Sequence, residues 1–180
     1  MTDKFRWADL KNHESLWDSR TNVIAKMIAD GSRVLEFGAG RMLLRMLLPA
    51  GCSYTPADIV SRGPGTIICD LNRKPLPALG RYDVIVFSGV LEYVFDISGL
   101  FSHLRPSCDT IIASYSVTEQ WTSSAIAVRR KNGWVNDYSL DEFMKVGTST
   151  GYTCVDHQVF AHAQEIFTFK SLGVRAVPIF

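Results

Sequence analysis

The sequence predicts an α/β fold built on a parallel sheet with helices on both faces. Three observations carry this. Strand-like and helix-like segments alternate along the chain, the pattern of strands joined by helical crossovers. Residues 82–88 (Tyr-Asp-Val-Ile-Val-Phe-Ser) hold a continuous apolar run, as expected of a central parallel strand covered on both sides. Residues 33–44 (Arg-Val-Leu-Glu-Phe-Gly-Ala-Gly-Arg-Met-Leu-Leu) compress a strand, a tight loop and a helix start into one short segment.

The elements follow in order. Residues 14–29 read as a helix, with Leu16, Val23, Ile24, Met27 and Ile28 at near-helical spacing and Asp30-Gly31 as its stop. The first strand is 33–37. A helix over 41–48 ends at Pro49-Ala-Gly51, and on it Arg41 and Arg45 share one face. The second strand covers 53–59, irregular because Pro56 cannot donate to a ladder. The third covers 66–69, and a polar, proline-bearing loop runs from Leu71 to Gly80. After the strand at 82–88, a helix over 96–104 ends at Arg105-Pro106, and the fifth strand is 109–115. Ser139-Leu-Asp-Glu is a capping-box pattern opening a helix to about residue 149. Strands at 152–160 and 164–171 have no helix between them and are expected to pair antiparallel around Ala161-His-Ala.

Bulk properties narrow the function. A chain of 180 residues suits one domain with a substantial core. Its net charge of +1 gives no reason to expect nucleic-acid or anionic-membrane binding. The longest apolar stretch, Met42 to Gly51, is broken by Arg45 and Pro49 and is too short to span a bilayer. The start, Met1-Thr-Asp-Lys-Phe-Arg-Trp, has no apolar signal core. Cys52, Cys69, Cys108 and Cys154 are scattered, with no Cys-x-x-Cys pair and no histidine at zinc-site spacing. Free thiols in a reducing cytoplasm, and no metal, are the expectation.

The chemistry centres on the loop after the first strand. Gly38 and Gly40 let a ligand approach the backbone, and the helix start beyond them offers N–H groups to an anion. Glu36 at the strand's end can accept from an ammonium or hydroxyl. A nucleoside-type cofactor fits these features. The dinucleotide pattern Gly-x-Gly-x-x-Gly would need glycine at Leu43, and no Tyr-x-x-x-Lys pair occurs. Both tell against a nucleotide-dependent oxidoreductase.

The segment Glu36-Phe37-Gly38-Ala39-Gly40-Arg41-Met42 resembles the first motif of class I S-adenosylmethionine-dependent methyltransferases, acidic-x-Gly-x-Gly-x-Gly, with Met42 at the third glycine, a position read as lying inside the helix. The resemblance continues at successive strand ends. Asp58, 22 residues after Glu36, would meet the ribose hydroxyls; Asp70 would meet the adenine amino group, with Leu71 packing on the ring. Ser88-Gly89-Val90-Leu91-Glu92-Tyr93 is similar to the family's segment after strand four, commonly ending Leu-Glu-His, with Tyr93 in the histidine's place. The resemblance thus implies S-adenosylmethionine as cofactor, held by Glu36, Phe37, Gly38, Ala39, Gly40, Asp58, Ile59, Asp70, Leu71, Ser88, Gly89 and Val90. It implies a Rossmann-like methyltransferase sandwich, with a seven-stranded, mostly parallel sheet ending in an antiparallel strand. Residues 1–180 would form one domain: a helical lid over 1–30, a cofactor-binding half over 33–115 and a substrate-side half over 116–180. Each strand-end acid also has a plain reading: Asp58 as a turn residue after Pro56, Asp70 as a turn cap, Glu92 as a solvated helix residue.

A general base is needed only if the acceptor must lose a proton. His103, His157, His162, Tyr93, Glu92 and Tyr115 are candidates, and none stands out. Acceptor recognition is expected in the connection 115–138. There Tyr115, Trp121, Trp134 and Tyr138 offer aromatic surface, and Arg129, Arg130 and Lys131 offer charge suited to a phosphorylated, carboxylated or sugar-containing acceptor; Tyr93 is a further candidate contact. The alternative is an amphipathic helix at 122–131 with solvated arginines. Trp7, Trp17 and Arg20 are a second candidate lining. The expected activity is methyl transfer to a small-molecule or sugar-containing acceptor. Short relatives resembling the methionine-biosynthesis W protein leave open a non-catalytic or partner-dependent role, with a protein partner or a second copy of the chain.

Overall fold

A computed structural model describes residues 15–119, 125–161 and 164–172. The chain alternates as anticipated: α1 (Ser15–Ala25), β1 (Arg33–Phe37), α2 (Leu43–Leu47), β2 (Ser53–Asp58), β3 (Ile67–Ile68), β4 (Val84–Phe87), a 3₁₀ turn (Leu91–Tyr93), α3 (Ile97–Leu104), β5 (Thr110–Ser116), α4 (Ala125–Lys131), α5 (Leu140–Ser149), β6 (Tyr152–Ala161) and β7 (Gln164–Ser171). The strands make one sheet in the order β3-β2-β1-β4-β5-β7-β6. The first five are parallel; β7 runs antiparallel to both β5 and β6. This is the seven-stranded sheet that the resemblance implied.

Period-two alternation divides the core between the two faces. Leu35, Phe37, Ile85, Phe87, Ile111 and Ala113 face α3 and α5, where Leu100, Phe101, Leu104, Phe143 and Val146 cover them. Val34, Val84, Val86 and Ile112 face the other way, onto Ile24 and Ala25 of α1 and Leu44 of α2. Burial on both sides explains why β4 reads as an unbroken apolar run, since each such side chain contributes about 1.5–3 kcal/mol.

Local signals set the helix ends. Asp96 caps α3, accepting from Gly99 N at 2.7 Å. Both halves of the capping box are present on α5: Glu142 N donates to Ser139 Oγ at 3.2 Å and Ser139 N to Glu142 Oε2 at 2.8 Å.

Four expectations are corrected on either side of β1. The first helix ends at Ala25 rather than 29, and α2 begins at Leu43 rather than 41. Arg41 therefore lies outside the helix, paired with Asp18 of α1, and shares no helical face with Arg45. Met42 is not inside the helix either. It is the N-cap, in the left-handed region with φ 55°. That conformation suits glycine and is costly for other L-residues, so the chain has to turn sharply just before α2.

Candidate functional site

Parallel strands bring their carboxyl ends to one edge of the sheet, where open α/β folds bind ligands. A cleft of about 380 Å³ opens there. Each of the twelve residues to which the resemblance gave the cofactor lines it: Glu36, Phe37, Gly38, Ala39, Gly40, Asp58, Ile59, Asp70, Leu71, Ser88, Gly89 and Val90.

The loop after β1 is held tightly. Gly38 N and Ala39 N both donate to Ala57 O, at 2.8 and 3.2 Å, and Gly40 N donates to Asp58 Oδ2 at 2.9 Å. Gly38 has φ 70°, and a Cβ there would sit 2.4 Å from Val90 Cγ2. Only glycine lets the two strand-end loops close on each other. Across the cleft, Gly89 (φ 72°) carries the Arg20 guanidinium directly on its backbone; a Cβ would lie 2.4 Å from Nη2.

Charge is concentrated and buried. Glu36 is 4% exposed and accepts from the Tyr54 hydroxyl. Burial pushes its carboxyl up to about 8; neighbouring Asp58 adds to the rise, while the Tyr54 hydrogen bond and Arg20 oppose it. Asp58 is buried as well. It accepts from Gly40 N, from Ile59 N at 2.7 Å and from the Arg62 guanidinium, whose Nε lies 3.0 Å from Oδ2. Arg62 lines the same cleft. Arg20 donates to Ser88 Oγ at 3.0 Å, Ser88 O at 3.2 Å and Gln164 Oε1 at 2.9 Å. Burial lowers its pKa against the pull of Glu92, Tyr93 and Glu36. Asp70 is half-buried, accepts from Asn72 N at 3.1 Å and has Arg73 beside it.

The expected acceptor side divides. Tyr93 and Trp134 line the cleft, with Trp134 Nε1 donating to Tyr93 Oη at 2.9 Å. Arg129, Arg130 and Tyr115 do not. Arg129 is 0% exposed; it donates to Asp137 Oδ1 at 2.7 Å, Ser116 O at 2.9 Å, Asn136 O at 3.1 Å and Tyr115 Oη at 3.3 Å, and lies over the Trp134 ring. Its guanidinium is thus committed to folding the crossover, and cannot meet an acceptor's oxyanion. Arg130 is exposed and engaged with Asp137 and Trp134 O. The Tyr115 ring is fully buried, stacked on Phe143 at 4.4 Å. Trp121, Trp7 and His162 lie outside the described residues. His103 meets Pro77 O at 3.0 Å and His157 meets Glu165 at 2.9 Å, both away from the cleft. Glu92 is not a solvated helix residue: it is 1% exposed and lines the cleft.

Arg62 was missed because its only signal was a four-residue spacing from Asp58, which means little without a helix, and none forms there. Among the described residues no cluster of His, Cys, Asp or Glu could hold a metal, and no helix is long and apolar enough to cross a membrane.

The comparisons with known proteins agree with this geometry. A family model described as a methyltransferase domain matches residues 10–157, so the chain belongs to that family, and its fold is that of the Rossmann-like methyltransferases. None of the curated proteins matches it. Among solved structures, the Burkholderia thailandensis 1,6-didemethyltoxoflavin-N1-methyltransferase, with 1,6-didemethyltoxoflavin and S-adenosylhomocysteine bound, is similar at TM-score 0.67 and 15% identity over 91% of this chain and 81% of that one. The mitomycin 7-O-methyltransferase is similar at TM-score 0.70 and 14% identity, over 90% of this chain; the match spans only 56% of that enzyme. A structure of the Haloferax volcanii Trm112 methyltransferase activator with a methyltransferase matches at TM-score 0.73 and 12% identity, over 95% of this chain and 99% of that one. At these identities the likeness is one of fold.

Proposed function

We propose that this chain transfers the methyl group of S-adenosylmethionine to a small-molecule acceptor, sugar-containing or aromatic, bound where the 3₁₀ turn and Trp134 close the cleft. The observation that carries the reading is the convergence of four strand-end segments, 36–40, 58–59, 70–71 and 88–90, on one cleft. The groups present fit the cofactor. Glu36 would accept from its ammonium and Arg20 would meet its carboxylate. Asp58 would take up the ribose hydroxyls, and Leu71 and Ile59 would pack on the adenine beside Asp70. When bound, the sulfonium supplies an electrophilic methyl group, so the protein's task is to position the acceptor and keep water out. Residues Trp17, Asp18, Arg20 and Thr21 of α1 line the same cleft, which supports the N-terminal segment as a lid. The four cysteines are unpaired, which supports a reducing cytoplasmic setting.

Calorimetric titration with S-adenosylmethionine, S-adenosylhomocysteine and NAD tests this. Binding of the first two and not of NAD is expected; binding of none, or of NAD alone, removes the assignment. A second reading, activity that depends on a protein partner, is favoured by the likeness to a methyltransferase solved with the Trm112 activator. Cofactor binding without turnover over a broad acceptor screen, restored by a co-purifying protein, is the result that reading expects.

A further inference from the structure

Glu92 lines the cleft and carries a buried carboxyl oxygen with no hydrogen-bond partner among the described residues. Glu92 Oε1 accepts from Ser116 N at 3.0 Å, while Glu92 Oε2 has no hydrogen bond among the described residues. Leaving a buried carboxyl oxygen unsatisfied costs free energy, and such an atom in a binding cleft is a place for a ligand's hydrogen-bond group. The surroundings of Glu92 are fixed. Val135 N donates to Glu92 O at 2.8 Å, which ties the segment carrying Trp134 to the residue itself. Trp134 in turn is locked to Tyr93. A carboxyl and two immobilised aromatic rings thus share one end of the cleft.

Resting on the methyltransferase reading above, we propose that Glu92 Oε2 accepts the hydrogen bond, and then the proton, of the acceptor group that is methylated, and that the acceptor is a flat aromatic or heteroaromatic molecule carrying that group as O–H or N–H against Trp134 and Tyr93. The step balances. The acceptor atom's lone pair forms the bond to the methyl carbon, the methyl–sulfur bond breaks with its electrons staying on sulfur, and the released proton passes to Oε2. Glu92 enters as carboxylate and leaves as neutral acid, which returns its proton to solvent with product release. Burial pushes the Glu92 carboxyl up, which makes it a stronger base than an exposed glutamate. Its own N–H, Ser116 N–H, Arg20 of α1 and Arg129 of α4 oppose the shift, and the Tyr115 hydroxyl, pushed up partly by Glu92, is a further titratable group within its reach. The carboxylate form, and with it the grip on an O–H or N–H, is favoured as pH rises.

Matched probes test this without knowing the acceptor. Phenol and anisole, and indole and 1-methylindole, share a ring and differ in carrying a hydrogen or a methyl group on the heteroatom that Oε2 would meet. Their binding to the protein saturated with S-adenosylhomocysteine is measured by NMR titration across pH. The expected result is several-fold tighter binding of phenol and indole than of their methylated partners, with a preference that grows as pH rises. Glu92→Gln keeps an acceptor for Ser116 N–H but offers an NH₂ to the cleft, so it should lose the preference while retaining S-adenosylhomocysteine affinity. No preference in the wild type, binding of no probe at all, or the same pH-dependent preference in Glu92→Gln overturns the proposal. Failure of S-adenosylhomocysteine itself to bind overturns the methyltransferase reading and this inference with it.

Discussion

Glu36 sits where a carboxylate is hardest to keep charged and most useful when it is. Its carboxyl, pushed up to about 8 by burial, is protonated at neutral pH before the ligand arrives. A raised carboxyl reverses the usual linkage: between its unfolded value of 4.5 and about 8 the native state holds a proton that the unfolded chain has lost. Its contribution to stability therefore falls as pH rises through that window. A ligand ammonium needs the carboxylate and must expel that proton. S-adenosylhomocysteine affinity should accordingly climb with pH, by at most about tenfold per unit, and level off near pH 8. Calorimetry in buffers of different ionisation heat counts the proton released; a proton-neutral binding event would exclude Glu36 from the ammonium contact. Met42 makes a second residue-scale case. Its left-handed backbone carries about 1–2 kcal/mol of strain that glycine would not, against about 0.4–1 kcal/mol of added unfolded-state entropy. Met42→Gly should raise the melting temperature by a few degrees, and a fall would mean that the Met42 side chain contributes more to packing than its backbone costs.

At the scale of elements, the crossover after β5 depends on one guanidinium. Arg129 joins β5 (Ser116 O) to the segment after α4 (Asn136 O and Asp137), and Asn136 Nδ2 continues the link by donating to Leu91 O and Val94 O, each at 2.8 Å. Beneath it, Phe143 of α5 packs edge-on against Phe167 and Phe169, and Gly147 lets that helix approach; a Cβ there would be 2.6 Å from the Phe169 ring. Arg129→Ala strips a fully buried hub, takes one of the two arginines from Asp137 and leaves the Ser116 and Asn136 carbonyls without their donor, at a cost of about 3–5 kcal/mol. Arg130→Ala, next in sequence but exposed, should change stability by no more than about 0.5 kcal/mol. Chemical denaturation of the two variants separates them; equal, small losses would mean that the buried network is not what holds the crossover.

Across the whole molecule, what was legible in the sequence was what backbone geometry dictates. Alternating elements, the doubly covered β4 and the Gly38–Gly40 turn gave the sheet and the edge where its cleft opens. Acids at strand ends became readable once the resemblance placed those ends side by side. The rest depended on contacts between residues far apart in sequence. Arg129 and Arg130 are the same residue type side by side, yet one is core and the other surface, because only Arg129 meets β5. Glu92 read as solvent-facing because one turn of 3₁₀ helix gives no periodicity to judge burial by. Met42 read as helical because the loop's last turn has no side-chain signature.

Arg20 is where these long-range contacts bear on the whole chain. It comes from α1, yet it bonds Ser88 after β4 and Gln164 at the start of β7, so one side chain clamps α1 to both the parallel and the antiparallel parts of the sheet. Arg20→Met keeps the apolar stem and removes every donor. Hydrogen bonds from a charged group contribute about 1.5–3 kcal/mol, so S-adenosylhomocysteine affinity should fall by about tenfold or more. Hydrogen exchange should rise in α1 while the amides of β4 and β5 stay protected, because Ile24 and Ala25 still pack on the sheet but no longer hold the helix end over the cleft. A variant with weaker affinity and an unchanged α1 would make Arg20 a ligand contact alone; faster exchange with full affinity would make it a clamp alone. Loss of both together is what a lid closed by the same group that holds the cofactor requires.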